Sequence, residues 1–145
     1  MPPDLGKPFP PGWAGRPPQM STRDFLLWTK YRRFTGLPFR RLYFNVRLGT
    51  MQPVPPDTPL PQGQMWHDLT AFRADVVGER DSDWTLIELR ANAGPGALGS
   101  LLVYRDLWNR DPPDERPLGL ELVTDELHPD LADIVKANDI KLWII

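Results

Sequence analysis

The sequence contains no cysteine and only two histidines among its 145 residues. The missing cysteines exclude disulfides, thiolate zinc sites and cysteine nucleophiles, and they fit a reducing compartment. His67 and His128 stand apart in polar segments, where surface positions are expected. No apolar run approaches the roughly 18 residues of a membrane span, and residues 1–18 lack the apolar stretch of a signal peptide. We therefore expect no membrane contact and a location in the cytoplasm or in a particle assembled there.

Proline is abundant but concentrated in two segments. Of the 18 prolines, seven lie in residues 1–18 and five in residues 53–61. The first group excludes a helix and predicts an extended arm over residues 1–20. The arm also carries Phe9, Trp13 and Met20, which we expect to dock on the chain's own domain or on a neighbouring subunit. The second group predicts a proline-rich loop over residues 53–63.

The net charge of −2 is unevenly distributed. Residues 20–47 contain seven basic side chains and one acidic side chain, whereas residues 105–145 contain five basic and ten acidic ones. The basic segment predicts either a nucleic-acid surface or a solvated helix and strand. Its arginines, together with one from a later strand, are candidate phosphate contacts: Arg32, Arg33, Arg40, Arg41 and Arg73.

Hydrophobic periodicity predicts an α/β domain with the element order αβββαβαβ and a mixed sheet. Ser21 begins the first helix, and Gly36 with Pro38 ends it after Phe34. Strands are predicted over 40–48, 73–78, 84–90, 118–124 and 140–145, and further helices over 97–108 and 129–138. The first strand alternates, which places Leu42, Phe44, Val46 and Leu48 on one face and Tyr43, Asn45 and Arg47 on the other.

Two carboxylates are predicted to face each other on the central strands. A hairpin turn centred between Asp81 and Ser82 places Asp75 opposite Glu88, on the same face of the sheet. Arg90 follows on that face, opposite Arg73. Adjacent carboxylates repel unless a cation or an arginine relieves them.

Two interpretations of the carboxylate pair remain open. Mg²⁺ is commonly held by one or two carboxylates with waters and substrate phosphates, so Asp75 and Glu88 are candidate metal ligands. A metal there would support phosphodiester cleavage. Alternatively, the two carboxylates form a structural charge network with Arg73 and Arg90.

Three segments resemble the PD-(D/E)XK nuclease superfamily, and more narrowly its small phage-encoded, VRR-type members. They are Arg-Ala-Asp-Val-Val at 73–77, Ile-Glu-Leu-Arg at 87–90, and Ala-Leu-Gly-Ser at 97–100. The resemblance covers roughly residues 21–145 and implies a single domain with a restriction-endonuclease-like core. That core consists of a helix, three antiparallel strands, a helix and a strand. It carries an aspartate on the second strand and Glu-x-Lys on the third. It implies catalytic roles for Asp75, Glu88 and Arg90.

The sequence departs from that pattern at two positions. The lysine is replaced by Arg90, and the glutamine that often follows on the helix is replaced by Ser100. Arginine binds phosphate through a planar fork but does not release its proton, so we expect phosphate binding to persist and water activation to be impaired. A lysine from elsewhere, among Lys30, Lys136 and Lys141, is the alternative.

Three functional hypotheses follow from the resemblance and the charge distribution. The first is a tailed-phage virion or assembly protein of the neck or tail, with impaired catalysis. Its arm would clasp neighbouring subunits in a homo-oligomer or ring, either in the virion or in the host cytoplasm before assembly. The second is a Mg²⁺-dependent endonuclease acting on phage DNA. The third is a DNA-binding module that uses residues 23–47 without cleavage.

Overall fold

The computed structural model describes residues 1–50 and 72–145, together with Pro56, Asp57 and Pro59. His67 and most of the predicted loop at 53–63 lie outside this part of the chain. The described residues form α1 (Thr22–Thr35), β1 (Arg41–Leu48), β2 (Phe72–Glu79), β3 (Trp84–Leu89), α2 (Pro95–Arg110), β4 (Leu118–Thr124), α3 (Pro129–Ala137) and β5 (Ile140–Ile144). This is the predicted order, and it makes the molecule a single α/β domain.

The five strands form one mixed sheet in the order β1-β2-β3-β4-β5. The first three strands are antiparallel neighbours, and β3, β4 and β5 run parallel. Parallel neighbours cannot be joined by a tight turn, so α2 and α3 form the two crossovers. All six residues of β3 are buried, which confirms its predicted central position.

Sequence signals at the helix ends act as predicted. The Ser21 hydroxyl accepts a hydrogen bond from the Asp24 N–H at 3.1 Å and caps α1. Gly36 ends α1 in the left-handed conformation, with a φ of 65°. Pro129 occupies the first turn of α3, and the exposed His128 side chain caps that helix by accepting from the Asp130 N–H at 3.1 Å.

The core has one layer on each face of the sheet. On one face, α1 contributes the buried side chains Leu27, Trp28 and Tyr31. On the other face, α2 and α3 contribute Ala97, Leu101, Trp108 and Val135. No helix within the described ranges has the length and apolarity to cross a bilayer.

The predicted alternation of β1 is wrong beyond Phe44. Leu42 and Phe44 pack with the α1 layer, whereas Val46 and Leu48 join Tyr43 in the layer of α2 and α3. The reversal occurs at Asn45, which has a left-handed φ of 51°. This backbone conformation turns the strand over, and asparagine is one of the few residues that adopt it readily.

β2 also exchanges its faces, at the position across from Asn45. Ala74 and Val77 pack in the layer of α2 and α3, whereas Val76 packs in the α1 layer. The register of the two strands places Asn45 across from Asp75, between paired residues on both sides. The two strands therefore exchange their faces at the same position, and Asp75, a candidate carboxylate, lies there.

The arm docks on its own domain along the free edge of β1. Asp4 bridges Arg47, and Phe9 bridges Leu42 with N–H to carbonyl distances of 2.8 Å in both directions. The Phe9 and Trp13 rings lie 5.3 and 5.8 Å from the ring of Phe44, between centroids. This is one of the two predicted docking modes, and contact with a neighbouring subunit stays a prediction.

Phe34 continues the helical spacing of Trp28 and Tyr31, which predicts a core position, but its side chain is 68% exposed. It lies in the last turn of the helix, where it lines a surface groove with Ile145, the residue that follows β5. Among the described strands β5 is the outermost, so none of them covers Phe34 there.

Candidate functional site

The carboxylate pair forms where the β2–β3 ladder ends. Val76 pairs with Ile87, in the register predicted from the hairpin turn, so Asp75 and Glu88 are the next opposed residues. The Leu89 N–H donates to Asp75 Oδ2 at 2.9 Å. A side-chain carboxylate thus replaces a backbone carbonyl as the acceptor, and this bond fixes Asp75 beside Glu88.

Glu88 is almost completely enclosed. Its side chain is 5% exposed, and its Oε1 lies 3.6 Å from Nη2 of Arg90, which is 43% exposed. Within the described part of the chain, the buried Oε2 of Glu88 has no hydrogen-bond partner. Buried polar atoms are normally satisfied, so this oxygen calls for a proton or a cation.

The electrostatics of the pair favour retention of a proton. Burial, followed by the charge of Asp75 and a hydrogen bond between the two carboxyl groups, raises the pKa of Glu88 to about 9 against the opposing effect of Arg90. Burial also raises the pKa of Asp75, against the hydrogen bonds from Glu88 and the Leu89 N–H. At neutral pH the pair therefore holds a proton unless a cation takes its place.

The donor set fits a hard divalent cation. Two carboxylates and an unsatisfied oxygen supply the oxygen ligands that Mg²⁺ prefers, and this ion usually retains several waters. Across the described residues, no group of three or more histidine, aspartate or glutamate side chains could hold a metal ion. The remaining positions around such a cation would therefore fall to water and to substrate.

Two residues near the pair were not predicted as part of the site. Tyr104 of α2 is half-buried, and its pKa is raised by burial and then by the charge of Glu88. In the sequence it shares a helical spacing with Leu101 and Trp108, which predicts a core position. Asp24 of α1 contributes a charge that raises the pKa of Asp75. Its only sequence signal was a place in the first helical turn.

Two of the five candidate phosphate contacts lie at the other end of β2. Arg40 pairs with Asp81 at 3.0 Å, and Arg41 lies 3.8 Å from Glu79. Glu79 is four residues from Asp75, or about 13 Å along the strand. Arg40 and Arg41 are therefore separated from the carboxylate pair and engaged in ion pairs.

The other three candidates lie nearer to the arm and α1. Arg73 Nη1 donates to Gln19 of the arm at 2.7 Å. Arg32 and Arg33 lie in the last turn of α1. The structure therefore brings Arg90 to the carboxylate pair, whereas Arg73 contacts the arm and Arg32 and Arg33 lie at the end of α1.

The candidate replacement lysines are also dispersed. Lys141 lies over the ring of Trp143 at 4.7 Å, and Lys136 occupies the last turn of α3. Lys30 lies on the exposed side of α1. The cation that faces Glu88 is the guanidinium of Arg90.

No protein-family model, curated protein or solved structure matches this chain.

Proposed function

We propose that this protein is a metal-dependent phosphodiesterase acting on DNA. In this proposal, Asp75 and Glu88 bind Mg²⁺ and Arg90 binds the scissile phosphate. The observation that carries the proposal is the buried Oε2 of Glu88, which lacks a partner among the described residues and lies in a carboxyl group that faces Asp75. The observed element order is also consistent with the nuclease-like core that the sequence resembles.

The residues of the site have distinct roles in such a reaction. A bound Mg²⁺ would supply Lewis-acid activation of the phosphate and of water. Glu88 must first release its proton, and Asp75 is held in place by the Leu89 N–H at 2.9 Å. Arg90 is exposed enough to reach a substrate phosphate, and its planar guanidinium can donate two parallel hydrogen bonds to it.

The proposal is tested by incubating the protein with linear, nicked and single-stranded DNA in Mg²⁺ or Mn²⁺. We expect cleavage that falls at least 100-fold in Asp75→Asn and in Glu88→Gln, since each change removes one charged ligand. Glu115→Gln and Asp133→Asn change carboxylates outside the site and are the matched controls. Absence of cleavage on all three substrates, or equal cleavage by Asp75→Asn, rejects the proposal.

A second variant addresses the arginine. Arg90→Lys replaces the planar guanidinium by an amine that can lose its proton, so we expect cleavage to increase. An unchanged or lower rate would show that the guanidinium itself is the better group at this position.

A second candidate function is a structural role in the neck or tail of a tailed phage. It is favoured by the 3.6 Å contact between Glu88 and Arg90, in which the guanidinium can serve as the only cation of the site. The protein would then bind neither Mn²⁺ nor Mg²⁺, and it would be present in intact particles. Mass spectrometry of purified particles tests this role, and absence of the protein from them rejects it.

A further inference from the structure

One side of α1 presents cations and apolar side chains to solvent. We call it the α1 stripe and define it by Arg23, Leu26, Lys30, Arg33 and Phe34, all of which are exposed. Their spacing along the helix places them on one side, away from the buried residues of α1. The two apolar members of the stripe, Leu26 and Phe34, are 58% and 68% exposed.

The cations of the α1 stripe form no close ion pair with any residue in the described part of the chain. Among the described residues, Arg23, Lys30 and Arg33 form no hydrogen bond and no ion pair within 4.0 Å. Other arginines of the protein form ion pairs; the guanidinium of Arg110, for example, lies 2.6 Å from the carboxylate of Asp106. A row of cations on one helix without close ion pairs is a surface suited to an extended polyanion.

The stripe begins beside the carboxylate pair. Asp24, next to Arg23, is close enough to raise the pKa of Asp75. Just beyond the carboxyl end of β4, the pKa of Asp125 is lowered first by the Asn92 N–H and also by the charges of Arg23 and Lys30. From Arg23 to Phe34 the helix extends for about 16 Å.

The stripe ends at an exposed aromatic ring. Phe34 lines a groove of about 470 Å³ together with Lys30, Arg33 and Ile145. Proteins that bind single strands combine cations that follow the backbone with aromatic rings on which bases stack. A base paired within a duplex cannot stack on such a ring without leaving its partner.

We propose that the α1 stripe binds single-stranded nucleic acid, with the backbone on Arg23, Lys30 and Arg33 and a base on Phe34. That a bound strand continues towards Asp75 and Glu88 rests on the proposed function, whereas binding of the strand to the α1 stripe does not. A membrane is the less suitable partner, because only two apolar side chains interrupt the charges.

The test is fluorescence anisotropy with a labelled 20-nucleotide single strand and a 20-base-pair duplex, in EDTA to prevent cleavage. We expect tighter binding of the single strand. The slope of the logarithm of the binding constant against the logarithm of salt concentration should fall in magnitude by about 1.4 in Lys30→Gln/Arg33→Gln. Each phosphate contact on a single strand contributes about 0.7 to that slope. Phe34→Ala should weaken single-strand binding about tenfold. Lys136→Gln/Arg110→Gln removes the same charge elsewhere and should leave binding unchanged.

Three outcomes would overturn the inference. They are no binding by the unchanged protein, equal losses in the stripe and control variants, and a preference for duplex that Phe34→Ala does not alter. Binding to vesicles containing phosphatidylserine, lost in the stripe variant without binding of the oligonucleotide, would assign the stripe to a membrane. Binding as expected without cleavage in Mg²⁺ or Mn²⁺ would retain the stripe and reject the phosphodiesterase.

Discussion

At the scale of single residues, Glu88 links the stability of the fold to the chemistry of the site. Its pKa is raised from 4.5 to about 9, chiefly by burial. Between these pH values the folded protein holds a proton that the unfolded chain has released. The free energy of unfolding should therefore fall as the pH rises from about 5 to about 9, and it should be highest at the acidic end of that range.

This pH dependence can be measured by urea denaturation at intervals from pH 5 to pH 9. Glu88→Gln keeps a neutral side chain of the same shape at every pH, so its dependence should be flatter than that of the unchanged protein. Glu115→Gln should retain the original slope. Parallel slopes for Glu88→Gln and the unchanged protein would mean that Glu88 titrates normally.

A bound cation should oppose the fall of the free energy of unfolding with rising pH. In the proposed function Mn²⁺ would displace the proton of the pair, so the affinity should rise with pH. Titration calorimetry should then detect proton release, seen as a binding enthalpy that depends on the buffer. Removal of the cation with EDTA at pH 8 should lower the melting temperature of the unchanged protein but not that of Asp75→Asn. An affinity that is independent of pH would place the cation elsewhere.

At the scale of elements, Asn45 controls which faces of β1 and β2 enter the two core layers. A left-handed φ of 51° costs an ordinary residue about 1–2 kcal/mol relative to glycine. Asn45→Ala and Asn45→Gly both remove the hydrogen bond from Asn45 Nδ2 to the Pro18 carbonyl, which measures 2.5 Å. The alanine variant should therefore be the less stable of the two by about 1 kcal/mol in chemical denaturation. Equal stabilities would show that β1 relaxes its turn.

The sequence predicted the helices and strands, but it did not predict the exchange of faces in β1 at Asn45. Ser21, Gly36 and Pro129 marked helix ends because capping and proline geometry depend on local chemistry. The register of Asp75 and Glu88 followed from the hairpin turn for the same reason. The reversal at Asn45 could not be predicted, because an asparagine within an alternating pattern looks like an ordinary outward-facing residue.

Residues that join the site from other elements were also missed. Tyr104 approaches Glu88 only because α2 crosses back over the sheet, and this placement depends on packing between distant segments. The exposure of Phe34 depends in the same way on β5 being the last strand. Periodicity identifies the apolar side of a helix but not the place where the underlying sheet ends.

At the scale of the whole molecule, the arm covers one edge of the sheet. Deletion of residues 1–13 removes the backbone bridges at Asp4 and Phe9 and exposes the ring of Phe44. We expect a lower melting temperature and concentration-dependent self-association in light scattering, because unpaired edges template further strands. The matched variant Phe9→Ala keeps the backbone bridges, so it should lose stability and stay dispersed. A truncated protein as stable and as dispersed as the unchanged one would show that the arm is dispensable.

The composition of the arm also limits how far strands can add to this sheet. Proline has no N–H to donate, and prolines at positions 2, 3, 8, 10 and 11 leave Asp4 and Phe9 as isolated points of pairing. The arm therefore occupies the β1 edge without becoming a template itself. Within the described residues, the outer edge of β5 has no such cover. Association through the edges of the described strands would consequently end at a pair of molecules, because one of the two edges in each copy is open and a fibre needs both.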